Sequence, residues 1–503
     1  MVSRRDVLRI GTAALAGTMI ESAVAGGSAH AAPAPLPAPL PAGPVTPVTP
    51  VPVEHGCYLT FCRIPTAGLA TWKSIMDSFA EDGVDRVVLW LGGAFRSRKY
   101  PITWQYNRSH RNVREDFAGD LIEYAHTLGI RVLLGFTPYT YDGTNQYAFE
   151  RPDLKAQQAG GQLARMQGIH SWGYNLDPTK ADAKRFMLEY ARELYFDFYP
   201  NADGLLIESS DIDICTGGDC GGPRHYYEIE FEFVRQLSDE VWAHNPDADI
   251  IVHPNYFVGG SNGAELPYDP RWTVIFSPWT VNLDFAKKVS RAYYFDLDVI
   301  SQPPENVASS VRWVRDHGFA SYFPSQEFFT FVAQHAEIGE TNLIGQQLRP
   351  FGFDFLGLDE NPYADPVVSV NRVALREYAK NPDLPDADFH ARLGAAVFGD
   401  TATEQNVTDL LFLHDFCYGH DKSLFSLAVQ ADPRAMRDRL ERGLLGFADL
   451  RAIQGKLDAL PAVAERIRRS RNPAVRRLDR HTSLVARNWD RDSRDLLGAH
   501  LRG

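Results

Sequence analysis

Asp120-Leu121-Ile122-Glu123-Tyr124-Ala125-His126-Thr127-Leu128-Gly129-Ile130-Arg131-Val132-Leu133-Leu134-Gly135-Phe136 is the stretch that decides the fold. Leu121, Tyr124, Ala125 and Leu128 recur at helical spacing, Gly129 is placed to end the helix, and the apolar run from Ile130 to Phe136 reads as a strand. This is the helix-to-strand half of a βαβ unit. Outward from it, after His55, the same order recurs. Further strands are expected over 58–63, 86–90, 204–208, 250–254, 273–277, 320–324 and 353–358, most of them separated by helical patterns such as 183–197 and 227–243. Eight strands alternating with helices predict an α/β fold, a (β/α)8 TIM barrel over residues 55–362. No GxGxxG follows the first strand, which disfavours a doubly wound dinucleotide-binding sheet.

After about Pro362 the strand signal stops, and amphipathic stretches to Leu501 predict a C-terminal helical region over 363–503. Its functional readings are a wall of the cleft or the contact of a homodimer. With 44% hydrophobic and 12% aromatic residues, the 503-residue chain has the composition of a globular protein. No stretch approaches the roughly 20 uncharged apolar residues of a membrane-spanning helix, so a soluble protein is expected.

Charge is uneven. Residues 1–31 carry a net +1, and residues 431–503, with 17 Lys and Arg against 10 Asp and Glu, carry +7; taking both from the total of −13 leaves −21 on residues 32–430. So acidic a body repels phosphate backbones and excludes nucleic acid as the expected partner.

At the start, Ser3-Arg4-Arg5-Asp6-Val7-Leu8-Arg9, a weakly apolar run and Ala29-His30-Ala31 have the order of an export signal, with the paired arginines of the twin-arginine type. Residues 1–31 are thus expected to be removed, and the protein to be periplasmic or extracellular. Residues 32–54, with proline at almost every second or third position, are expected to form an extended linker. Five cysteines suit an exported chain: Cys215 and Cys220 bracket a short flexible span that a disulfide can close, while a bond between Cys57 and Cys62 would distort a straight strand. No CxxC or HExxH pattern marks a zinc site, and Asp211, Asp213 and Asp219 lack full calcium-loop spacing, so neither a metal nor another cofactor is expected.

Sites of such barrels lie in the loops after the strands' C-terminal ends. There the chain places Arg96, Arg98 and Lys99, then Tyr139, Tyr141 and Asp142, then Glu208-Ser209-Ser210-Asp211-Ile212-Asp213. Further on come His253, Asn255 and Tyr256, Trp279 with Asp284, and Ser325-Gln326-Glu327-Phe328. Two carboxylates facing across a cleft are what glycosidic cleavage requires, one donating a proton and the other attacking or activating water. The catalytic candidates are Glu208, Glu327, Asp284 and Asp211; substrate-binding candidates are Trp279, Tyr256, Asn255, His253, Gln326, Tyr139 and Arg98. The acid on the fourth strand is Glu208, Asp211 or Asp213.

Ser325-Gln326-Glu327-Phe328 is similar to the Thr-Gln-Glu-Tyr stretch of microbial α-glucuronidases, and Asn282-Leu283-Asp284-Phe285 resembles their Pro-Met-Asp-Phe. Asp203-Gly204-Leu205-Leu206-Ile207 resembles the segment leading to their general acid, and Lys380-Asn381-Pro382-Asp383-Leu384 with Val397-Phe398-Gly399 resembles the opening of their helical region. The patches lie between about 200 and 400. The family's acid context, Asn-Ser-Glu-Gly-Gln, has no counterpart here, its register falling on Ile212. The resemblance implies an inverting, uronate-directed hydrolase in which Glu327 and Asp284 hold the water, and it makes Arg96, Arg98 and Lys99 candidates for binding the uronate. The chain is therefore expected to be an exported glycoside hydrolase acting on a carbohydrate, the alternative being a non-catalytic carbohydrate-binding surface protein on a barrel scaffold.

Overall fold

The computed structural model describes residues 54–59, 67–105, 107–108, 110–141, 143–166, 173–210, 214–254, 268–277, 283–296, 303–324, 360–417, 441 and 446–502. The export signal expected over 1–31, almost all of the linker, Cys62 and the strand expected over 353–358 lie outside the described residues.

Eight parallel strands close into a barrel: β1 (Glu54–Leu59), β2 (Arg86–Trp90), β3 (Arg131–Phe136), β4 (Gly204–Glu208), β5 (Asp249–His253), β6 (Thr273–Phe276), β7 (Arg291–Asp296) and β8 (Ser321–Pro324). Each pairs with its neighbours in chain order, and β8 returns to β1 through Glu54↔Ser321 and His55↔Tyr322. The central residues of β2 to β6 are buried throughout, as strands sandwiched between a filled interior and a coat of helices must be.

Two strands depart from the sequence reading. β1 begins four residues before the expected 58–63, because Gly56–Leu59 is in register with Arg86–Leu89 while Glu54 and His55 pair with β8. Its polar start is set by neighbours on both sides, which apolar patterning does not detect. β7 was not expected at all, since no amphipathic pattern in the sequence announces it; among the described residues between it and β6 stands a four-residue helix, Leu283–Ala286. The strand expected over 320–324 is therefore the eighth, and the barrel closes without 353–358.

Helices α1 (Leu69–Glu81), α2 (Ala118–Thr127), α3 (Ala181–Arg192), α4 (Pro223–His244) and α5 (Pro304–Asp316) bury their apolar faces against the barrel. The junction from α2 to β3 shows how the sequence enforces the turn. Gly129, at φ 75°, donates to His126 and Ile130 to Ala125, the paired closing bonds of a helix that ends in a left-handed residue. Gly83-Val84 and Gly318-Phe319 close α1 and α5 in the same way.

Side chains of alternate strand residues fill the interior. Gly56 leaves room for Phe323, whose ring a Cβ there would meet at 2.1 Å. At the base of β4, Gly204 has φ 154° and lies so close to Asp249 that a Cβ would fall 1.8 Å from its carbonyl oxygen, so only glycine fits.

Beyond the barrel come α6 (Ser369–Lys380), α7 (Asp386–Phe398), α8 (Glu404–Cys417), α9 (Phe447–Arg469), α10 (Pro473–Arg477), α11 (Asp479–Asn488) and α12 (Arg491–Arg502). They continue the barrel's structure. Arg372 and Arg376 of α6 reach the buried Asp82 at 2.8 and 3.3 Å, and buried His481 of α11 meets Asp365 at 2.8 Å.

Candidate active site

β4 carries Glu208 to the mouth as its last residue. The register Glu208↔His253 sets the two side by side, with Glu208 Oε1 3.7 Å from His253 Nδ1. His253 is buried, its ring 4.8 Å from that of Phe295, and burial pulls its pKa down to about 3. The imidazole is therefore neutral at neutral pH, and the contact, too long for a hydrogen bond, is not an ion pair. The Glu208 side chain keeps 14% of its surface exposed.

β3 and β4 run in register as far as Phe136↔Ile207; Thr137 is the residue that follows β3, and Glu208 is the last of β4. Thr137 Oγ1 and His253 Nε2 are both buried without a hydrogen-bond partner among the described residues. Each such atom costs roughly 1–3 kcal/mol. The one on His253 belongs to the ring beside the Glu208 carboxylate, a place that folding alone has not optimised.

Behind the mouth lies a carboxyl that sequence reasoning missed. Glu230 of α4 is buried, and it accepts from Ser209 Oγ at 2.5 Å, Ser210 N at 3.2 Å and Ser210 Oγ at 3.0 Å. The Ser210 hydroxyl also lies 2.7 Å from Tyr226 OH and 2.9 Å from Thr140 Oγ1. Desolvation pushes the Glu230 pKa up to about 7, against the downward pull of these donors. Glu230 thus fixes the two residues that follow Glu208. The available signal was helical: Glu230 lies four residues from both Tyr226 and Val234 on the buried face of α4.

The loop beyond is tied down covalently. Cys215 and Cys220 form a disulfide, as their spacing suggested, and Thr216 and Gly217 donate to the Gln157 carbonyl at 2.9 and 2.8 Å. Both sulfurs approach the Asp177 carboxylate, but cysteines joined to each other have no thiolate to offer a metal.

Asp284 is 91% exposed and 3.5 Å from Lys287, and Asp219 is 77% exposed and 3.6 Å from Lys180. Tyr139, at φ 66°, is buried edge-on to Phe233 at 5.9 Å, and its carbonyl accepts from Leu176. The loop after β2 packs on the flank of the barrel. There the buried Glu193 carboxylate accepts from Ser97, Arg98 and Lys99, with Arg98 4.9 Å from the Phe198 ring and Arg96 5.3 Å from that of Trp104. Asp211, Asp213, Asn255, Tyr256, Trp279, Gln326 and Glu327 lie outside the described residues.

No family model and no curated protein matches the chain. Solved structures do. A GH138 enzyme targeting pectin rhamnogalacturonan II is matched at TM-score 0.53 and 12% identity over 91% of this chain, which spans 59% of that one. The chitobiase of Flavobacterium johnsoniae is matched at 0.45 and 10% identity, covering 90% of this chain and 73% of that one. An O-GlcNAc hydrolase of Thermobaculum terrenum is matched at 0.46 and 9%, covering 89% and 87%. At such identities the first likeness establishes a shared fold, a barrel with appended helices.

Proposed function

We propose that this chain is a glycoside hydrolase that cleaves bonds in a carbohydrate substrate, with Glu208 as proton donor. The observation that carries the reading is Glu208 itself, a partly exposed carboxyl at the C-terminal end of a barrel strand, beside a buried neutral His253 whose Nε2 has no hydrogen-bond partner among the described residues. The likeness to the GH138 enzyme targeting pectin rhamnogalacturonan II supports it.

Glu327 is assigned the second role. In sequence it stands three residues after Pro324, the end of β8, and β8 lies opposite β4 in the ring of strands. Glu208 gives its proton to the glycosidic oxygen as the bond to the anomeric carbon breaks. A water adds to that carbon and yields its proton to Glu327, so no glycosyl-enzyme bond forms and the configuration inverts. Asp284 remains assigned to hold that water with Glu327, and Asp211 remains the alternative proton donor after the fourth strand. Export through the paired-arginine signal and preference for a uronate substrate belong to the same proposal, and both rest on the sequence motifs.

The test is turnover of aryl glycosides and uronate-capped oligosaccharides by the chain from Ala32, beside Glu208→Gln and Glu327→Gln. The parent is expected to turn over and each folded variant to lose about a thousandfold in kcat, with the first-formed sugar of inverted configuration by NMR. Sugar binding without turnover in the parent would overturn the reading in favour of a binding protein.

A further inference from the structure

On the outer face of the C-terminal helices, α10 and α11 form an open groove of about 690 Å³. Arg476, Arg477, Arg480 and Arg487 line it together with Ser483 and a single acidic residue, Asp479. All four arginines are exposed, in a chain whose net charge is −13. Two of them are held in place: Arg480 forms a two-pronged pair with Glu360 at 2.7 and 3.2 Å, and Arg477 donates to the Ala364 carbonyl at 3.1 Å. The Arg476 guanidinium has no hydrogen bond or ion pair among the described residues. Arg480, Ser483 and Arg487 fall at helical spacing along one face of α11, spanning about 10 Å of its axis.

We propose that this groove is a binding site for an acidic polysaccharide, separate from the barrel mouth. Guanidinium groups are planar forks that match carboxylate and sulfate oxygens in pairs, and four of them spread over two adjoining helices suit an anion that repeats along a chain. The serine hydroxyl and the Asp479 carboxylate can take hydrogen bonds from sugar hydroxyls. An anionic membrane is the less fitting partner, because surface-binding helices bring large apolar side chains to insert between lipids. Leu163 and Phe447 are the exposed large hydrophobic residues among those described, and neither lines the groove. The inference stands on the charge of the groove and does not depend on the hydrolase reading.

The test is retention of the full chain in gels or on beads carrying polygalacturonate, against neutral dextran, at low and at moderate salt. The parent is expected to bind polygalacturonate, bind dextran no better than background, and lose binding as salt rises. Arg476→Glu with Arg487→Glu should weaken retention about tenfold or more, whereas Arg451→Glu with Arg468→Glu, equal in charge and outside the groove, should weaken it far less. Turnover of small aryl glycosides should be the same in all three proteins. Absence of binding in the parent, or equal losses in the two double variants, would overturn the proposal. So would sedimentation with phosphatidylglycerol vesicles in the absence of polygalacturonate binding. If no glycoside is turned over while groove-dependent binding persists, the hydrolase reading fails and this one stands.

Discussion

At the base of the barrel, Arg86 reaches the Tyr293 hydroxyl and approaches Asp249, Arg131 bridges Asp249 at 2.8 Å and Asp203 at 3.8 Å, and His126 meets Asp203 at 2.8 Å. At the mouth, Glu208 faces an uncharged His253, and Glu230 is surrounded by hydroxyls and one backbone N–H. Both ends bury ionisable groups. At the base, opposite charges offset the cost of desolvation. At the mouth, neutral partners leave burial to shift the protonation state, downward for His253 and upward for Glu230. The base is arranged for stability, while the mouth keeps one group, Glu230, whose charge changes near neutral pH.

Breaking the base should give the largest effect on stability. Arg86→Met leaves the buried interior around Asp249 and Tyr293 without its cation and should cost about 4 kcal/mol, read as a lower urea midpoint, while turnover per folded molecule stays unchanged. Activity lost in proportion beyond the unfolded fraction would erase the distinction between the two ends.

Glu230→Gln tests the mouth. Because the folded pKa is raised from 4.5 to about 7, Glu230 stabilises the fold fully below pH 4.5, and that contribution is lost as pH rises through about 7. The parent should lose about 3 kcal/mol across this window from this group, and the variant should be flatter when unfolding by urea is followed across it. Equal slopes in parent and variant would show that Glu230 does not titrate there.

The smallest effect is expected from Cys215→Ser with Cys220→Ser. Opening so short a loop should cost about 2 kcal/mol, visible as a lower Tm, with the loss of order confined to the loop after β4 by hydrogen exchange. An unchanged Tm would mean that the Thr216 and Gly217 hydrogen bonds hold this loop unaided.

Much of the barrel was legible because its grammar is local. The Leu121 to Phe136 pattern became α2 and β3, and the apolar runs of β2, β4, β5 and β6 became strands nearly where expected. β7 escaped because no amphipathic pattern precedes Tyr293, Tyr294 and Phe295, the described residues between them and β6 forming a four-residue helix. Glu208 was legible as a carboxylate at a strand end. Glu230 was not, because a glutamate in an amphipathic helix is ordinarily solvated and its burial depends on β4 and the loop after it.

The sequence by itself determined the alternation of elements, the turn glycines, the short disulfide and the surplus of arginine near the end, because each depends on residues close together in the chain. Only the tertiary structure decided which eight strands close the ring, that β8 rather than a seventh strand leads into Ser325-Gln326-Glu327, that Arg98 packs on the flank, and that Glu208, His253 and Glu230 gather at one mouth. Those outcomes depend on register across non-neighbouring strands and on burial, which sets protonation only after the chain has closed.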